Sequence, residues 1–458
     1  MELETNIITY LLLLTPFLVV LAAGIFHGGS RLSFSLAFPV IFFIYTLFGP
    51  LVIILGDDSF FWRDIYSSVI DFKIDNLWYT MIILNIYITS WACGFYIFKG
   101  WGLSSVNYIS ERRMYGIEIK IALLFSIIFG GLYVYFGFFE YISSIGLDTS
   151  VYRNLKYIKS GTIVNALHPI WGASLVTFFI LMLINGWKYS SVFVKVMFFL
   201  LSFFYMFVSF ILEDRGQLIL LFFGVLTGLF RLKSSKIRFL AFISGFLFLS
   251  LLVLIKKTRG LSFSSIDSEI ISDRLDIFSV LIGAFSNAEN IASFISIYFF
   301  TSEDHPLLYG ESIFHTLISF IPRVLYPDRP GYFFYQYYSD LINLPEGRGY
   351  TVSELADWYA NFGVFGIALG GVILGIFMRG LELKSNFPTK KGAIYTILSI
   401  LVLSWIPQLL RTGIEGYKAL VYENLIVVIV VFTLATMYRK IAKKKKSNSK
   451  KKLVTKNF

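Results

Sequence analysis

The stretch ESIFHTLISFIPRVLYPDRPGYFFYQYY, residues 311–338, decides how this chain is read. It lies in a long interruption, Lys257 to Ser353, that parts eight apolar runs from three more. Ile313, Phe314, Leu317, Ile318 and Ile321 fall on one face of a helix that Pro322 ends, with Ser312, His315 and Ser319 on the other. That pattern predicts an amphipathic helix suited to lying on a membrane surface. Pro327, Pro330, Gly331 and the run of tyrosines and phenylalanines from Tyr332 to Tyr338 predict a rigid, aromatic-lined turn region. Such rings anchor at membrane interfaces, and sugars also stack on them.

Outward from this stretch the chain is apolar, in runs near the length that crosses a bilayer, about 20 residues for about 30 Å of hydrocarbon. Hydrophobic residues make up 56% of the chain, charged residues 15%, and mean hydropathy is +0.71, which excludes a soluble domain of this length. No run alternates as a barrel strand would, so each must satisfy its backbone groups internally, as a helix. The expected fold is all-α and polytopic, with eleven spans at 7–26, 34–55, 77–98, 117–138, 162–184, 191–212, 217–230, 239–255, 357–378, 393–410 and 420–438. The chain then divides into transmembrane helices over 1–256, a large extracytoplasmic loop with short amphipathic helices over 257–356, three further spans over 357–438, and a basic tail over 439–458. Glu2 and Glu4 precede the first run without any lysine or arginine, the wrong lead-in for a cleaved signal peptide.

The net charge of +11 invites nucleic acid as a partner, and its distribution argues against one. Residues 439–458 hold ten basic residues and no acidic ones, leaving +1 for the rest. Such a tail reads as a disordered cytosolic segment drawn to anionic headgroups. With the tail inside, the basic loops near 99–113, 231–238 and 379–391 also fall inside, while the acidic 56–76 loop and the insert fall outside. From Lys256 to Leu355 there are seven basic and twelve acidic residues, so the arginines there are sparse features of an acidic segment. Cys93 is the sole cysteine, which rules out an intramolecular disulfide or a cysteine-rich zinc site. There is no P-loop, HExxH motif or convincing Asp-x-Asp site, and Glu423 is an exception among span interiors that carry few acids, which disfavours an ion-coupled transporter.

Several residues could carry chemistry. Arg215, in Glu213-Asp214-Arg215-Gly216 between two spans, is held near the membrane surface and could grip phosphate through its planar fork, or pair with Glu213 or Asp214. Arg411 follows the tenth span and could bind phosphate or pair with Glu415. Arg259 and Arg274 flank the start of the insert as site residues or exposed charges, and Arg323 is a site residue or an interfacial anchor. Glu354 and Asp357, one helical turn apart, could act as a general base or simply favour a helix N-terminus. His315 suits acid–base work at neutral pH, or is an ordinary exposed histidine.

At these residues the chain resembles the Wzy-type polymerases of bacterial surface polysaccharides, including O-antigen and enterobacterial common antigen polymerases. The likeness rests on Asp214-Arg215-Gly216, Ser319 through Pro330, Ser353-Glu354 through Asn361-Phe362-Gly363, Arg411-Thr412-Gly413-Ile414-Glu415, and one large outer loop before the last three spans. The resemblance implies transfer of a growing glycan from undecaprenyl pyrophosphate to a new lipid-linked repeat unit. It implies Arg215 and Arg411 on the pyrophosphate, Arg259, Arg274 and Arg323 on the second carrier or the glycan, and Glu354, or else His315 or Asp357, taking the acceptor proton. No metal or other cofactor is implied. The implied setting is the bacterial inner membrane, with a periplasmic site, a cytoplasmic C-terminus and a chain-length co-polymerase as partner. An O-antigen ligase is the chemically close alternative, and a lipid-linked oligosaccharide flippase fits less well because it has no use for the large outer loop.

Overall fold

The computed structural model describes residues 2–28, 33–55, 73–98, 115–139, 162–211, 215–232, 288–321, 325–326, 333–342, 352–385 and 390–454; the expected span at 239–255 lies outside them. In chain order its main helices are α1 (Glu2–Leu13), α2 (Thr15–Gly28), α3 (Phe34–Phe42), α4 (Phe48–Leu55), α5 (Ile74–Ile97), α6 (Gly116–Tyr133), α7 (Thr162–Asn185), α8 (Val192–Ile211) and α9 (Arg215–Leu232). After the gap come α10 (Ala288–Ser302), α11 (Glu311–Ser319), α12 (Phe333–Leu341), α13 (Glu354–Ser385), α14 (Lys390–Leu409), α15 (Gly416–Ala419) and α16 (Ile426–Val454). Among the described residues the one β contact is an isolated parallel bridge between Val352 and Thr412. The chain is an all-α polytopic membrane protein. Eight helical stretches are long and apolar enough to cross a bilayer, and a ninth is formed if α1 and α2, bent by 42°, count as one span. The expected span at 217–230 is a shorter apolar helix, Leu218–Phe230.

Small residues set how the spans pack. Without a hydrophobic drive between helices in lipid, close approach of backbones is what holds them together. A Cβ on Gly371 would lie 2.6 Å from the Tyr87 carbonyl, and one on Gly375 or Gly94 would run into the backbone of Trp91 or Val372. The pairs Tyr87–Gly371 and Trp91–Gly375 advance together along both chains, so α5 and α13 are parallel. Gly224 and Gly228 of α9 receive the side chains of Val176 and Ile180 of α7, while Gly172 receives that of Leu220, so these two helices are also parallel. In α8, Ser209 meets His168, and Phe198 stacks on Phe179, which makes that helix antiparallel to α7.

One consistent sense follows for the bundle. At one end, hereafter the tail end, the Phe34 N–H donates to Glu382 at 3.0 Å, Tyr115 N–H donates to Asn185, and Arg439 pairs with the buried Glu118. At the opposite end, the insert end, the Lys73 N–H donates to the Tyr298 hydroxyl, and Tyr79 meets Tyr359. The tail expected to be disordered is helical: α16 continues as far as Val454. Its lysines and alanine are good helix formers, and they extend a span already nucleated in lipid.

The described part of the insert is not set apart from the bundle. From Ser293 to Phe300 every residue of α10 is buried, packed against α4, α5 and α13. The sequence IASFISIYFF is apolar around the helix, too short to span but suited to a buried site. The helix expected around 313–321 is present as α11, and its amphipathic sense is as read: Phe314, Leu317 and Ile321 are exposed, while Ser312, Thr316 and Ser319 are buried. Its polar side therefore faces protein and its apolar side faces outward, the arrangement for a helix at a membrane interface.

A break in α13 seats this helix. Phe362 and Gly363 leave helical geometry, Gly363 with φ 59°, which an L side chain adopts only under strain. The break releases the carbonyls of Ala360 and Asn361 from intrahelical bonding. They accept from the N–H groups of Leu308 and Tyr309, and the Asn361 side-chain oxygen accepts from Gly310. Tyr309 and Gly310 both have positive φ, so a strained turn docks into the break and launches α11 from it.

Candidate functional site

The first two turns of α13, before its break, stand at the insert end with four neighbours around them: α10, α11, the turn Arg411–Glu415 and α15. Ser353 caps them, its hydroxyl accepting from the Ala356 N–H, while its own N–H donates to Ser296 of α10 at 2.9 Å. The Val352 N–H donates to the Arg411 carbonyl at 3.2 Å, alongside the bridge to Thr412. Two of the stretches singled out in the sequence, Ser353–Gly363 and Arg411–Glu415, are thus knit into one joint.

Asp357 holds that joint. Its carboxylate is fully buried; one oxygen accepts from the Ser312 hydroxyl and from the Asn361 amide, and the other accepts from the Ile414 N–H at 2.9 Å. Asn361 also donates to the Ser312 hydroxyl at 2.6 Å. Gly413, with φ 65°, brings the turn close enough that a Cβ there would lie 3.0 Å from the Asp357 carboxylate. A buried carboxylate with three hydrogen bonds from three elements is a tie between them.

Glu354 is also fully buried. One of its oxygens accepts from the Tyr417 hydroxyl at 2.7 Å and the Trp358 indole at 3.1 Å, and the Tyr87 hydroxyl lies beside it. It couples α13 to the head of the last span. The two carboxylates read as one helical face do share a neighbourhood, and each is enclosed by protein.

His315 sits at the rim. Its side chain is 23% exposed, its Nε2 is 3.8 Å from Glu311, and its ring stacks on Phe333 with centroids 4.3 Å apart. The row of near-parallel rings continues to Tyr337 and inward to the buried Phe300 and Phe334. Tyr337 is raised above the usual phenol value by burial and then by Glu311. The aromatic turn foreseen from the sequence is thus realised in part as α12 packed against α11.

Arg411 is partly exposed at the edge of the joint. Arg215 opens α9 in the backbone, and α9 packs against α14, the helix that Arg411 closes. Arg259, Arg274 and Arg323 lie outside the described residues.

Glu415 was read in the sequence only as a partner for Arg411. It is 4% exposed and accepts from the backbone N–H groups of Phe333 and Phe334. Its other oxygen has no hydrogen-bond partner among the described residues. Burial first, then the nearby Asp357, pushes its carboxyl up to about 8, with Lys418 opposing. The local sequence marks it only as the end of the Arg411–Glu415 stretch; its burial appears once the fold brings residue 333 to residue 415.

Among the described residues no group of three or more histidine, cysteine, aspartate or glutamate side chains is placed to hold a metal ion. The chain matches no family model, no curated protein and no solved structure.

Proposed function

We propose that this chain is a membrane glycosyltransferase of the Wzy type, which polymerises undecaprenyl-pyrophosphate-linked repeat units into a surface polysaccharide. The observation that carries the reading is the joint. The stretches Ser353–Gly363 and Arg411–Glu415, far apart in the chain, are bonded through Val352, Thr412, Asp357 and Ile414 at the end that bears the insert. A site for a lipid-borne, phosphate-bearing substrate belongs at such a place: charged groups at a bundle end, beside an interfacial helix whose apolar side faces the bilayer.

In this reading the growing glycan on its carrier is the donor and a new repeat unit is the acceptor. Arg411 binds the diphosphate as negative charge develops on the leaving group, so its attraction is strongest in the transition state. Arg215, the residue that opens α9, supplies a second guanidinium to the same diphosphate. Arg259, Arg274 and Arg323 hold the second carrier or the glycan. Asp357 and Glu354 keep the joint in register, and a proton acceptor for the attacking hydroxyl is drawn from this same cluster or from His315. The insert end faces the periplasm from the inner membrane, the C-terminal tail is cytoplasmic, and a chain-length regulator is a partner.

Purified protein in liposomes, given defined lipid-linked repeat units, should yield a ladder of products. Arg411→Ala should lower the rate by about 10²-fold or more, the loss typical of removing a transition-state charge partner, with partial recovery in Arg411→Lys. Normal chain growth by a folded, inserted Arg411→Ala protein sinks the assignment. Transfer to a lipid A core in place of another repeat unit would make the protein a ligase instead.

A further inference from the structure

We infer that Glu415 is the acid–base group of this site, taking the proton of the acceptor hydroxyl; the inference rests on the transferase reading. Four groups at the insert end could do this work, and the structure separates them by how each is enclosed and held. Both oxygens of Asp357 accept hydrogen bonds from three elements. Glu354 also has one oxygen with no partner among the described residues, but the side chain is enclosed by Trp358, Tyr417 and Tyr87 with no exposed surface for a substrate to reach. His315 is at the rim, engaged with Glu311 and stacked on Phe333.

Glu415 differs. One oxygen is fixed by two backbone donors, Phe333 and Phe334, so the carboxyl has a set orientation. The other is buried and without a partner among the described residues. A native fold rarely leaves such an oxygen unmatched, and an unmatched one points to a proton or a ligand group not held by the protein. His315 Nδ1 is likewise buried and unmatched, and its ring lies against Phe333, the residue whose backbone orients Glu415. Two unfilled polar positions therefore flank one residue, as a site for a hydroxyl requires. Glu415 also shares a five-residue turn with Arg411, which places proton uptake and diphosphate binding on one rigid connection.

The step balances. The acceptor O–H proton passes to the free Glu415 oxygen as the hydroxyl oxygen's electron pair forms the bond to the donor's anomeric carbon. The bond from that carbon to the diphosphate oxygen breaks, and its electrons leave with the diphosphate held by Arg411. Glu415 then returns its proton to water. To accept a proton Glu415 must be ionised, and the groups that set this are Asp357 from α13, Lys418 from its own helix, and the donors of Phe333 and Phe334 from α12.

The test has two arms on the full-length protein. In the polymerisation assay the wild-type rate should rise with pH about tenfold per unit and level off near pH 8, as Glu415 ionises. Glu415→Gln should lose about 10²-fold or more and the rise with it, while Glu415→Asp should keep part of both. The second arm needs no activity: thermal unfolding of the detergent-purified proteins from pH 4.5 to 8.5. Because the folded-state value lies above the ordinary 4.5, the stabilisation is complete below pH 4.5 and lost as pH rises through about 8. Wild type should therefore lose stability over this window relative to Glu415→Gln. A Glu415→Gln protein with the wild-type pH–rate profile, or with the same pH-dependent unfolding, overturns the inference. Wild-type protein that shows the unfolding difference but no transfer leaves the acid in place and sinks the transferase reading alone.

Discussion

At the scale of single residues, Asp357 and Glu415 show how two buried carboxylates of one joint take different jobs. Removing the Asp357 carboxylate takes the acceptor from the Ser312 hydroxyl and the Ile414 N–H in a buried joint. Asp357→Ala should destabilise the detergent-purified protein by about 3 kcal/mol, and Asp357→Asn, which keeps the shape, by about 1 kcal/mol, read by thermal unfolding. Gly413→Ala should be harmful for a different reason: its φ of 65° strains any side chain, and its Cβ would meet Asp357. The sequence made Glu354, Asp357, His315 and Arg411 visible because charges beside apolar runs stand out. It did not distinguish a carboxylate that ties helices from one that moves protons, since the difference lies in which donors arrive from residues 312, 333 and 414. The role of Glu415 stayed hidden because Phe333, Phe334 and Asp357, which set its surroundings, come from distant chain.

At the scale of elements, most helices were legible, because a span must be apolar, about 20 residues long and helical to exist in lipid. What escaped the reading follows tertiary rules. Helix α10 is apolar all round but short, so length argued against it while burial decided for it. The break at Phe362–Gly363 lies inside an otherwise continuous apolar pattern, and only the docking of residues 308–310 reveals its use. The Gly371 and Gly375 contacts give this level its sharpest prediction. Gly375→Leu forces a side chain into the Trp91 backbone and should part α5 from α13, costing about 1–3 kcal/mol or more and lowering the yield of folded protein in detergent. At the tail end, Arg439→Ala takes the guanidinium from a fully buried Glu118 and should cost about 3 kcal/mol, partly restored by adding Glu118→Gln.

For the whole molecule, the pairing of helix ends divides the chain between two faces. Glu303 and Glu311 belong to the insert face; Lys384 and Lys443 belong to the tail face; all four are exposed. In a Cys93→Ser background, cysteines placed singly at 303 and 311 should react with an impermeant maleimide from one side of the membrane, and those at 384 and 443 only from the other. Labelling of 311 and 443 from the same side would undo the topology. The joint itself has a consequence for biosynthesis. Ser312, Asp357 and Ile414 leave the ribosome in that order, and the carboxylate has only part of its set until the last arrives. A nascent chain that ends before Ile414 lacks the donor to one oxygen of Asp357, so the joint closes only when the last stretch has been made.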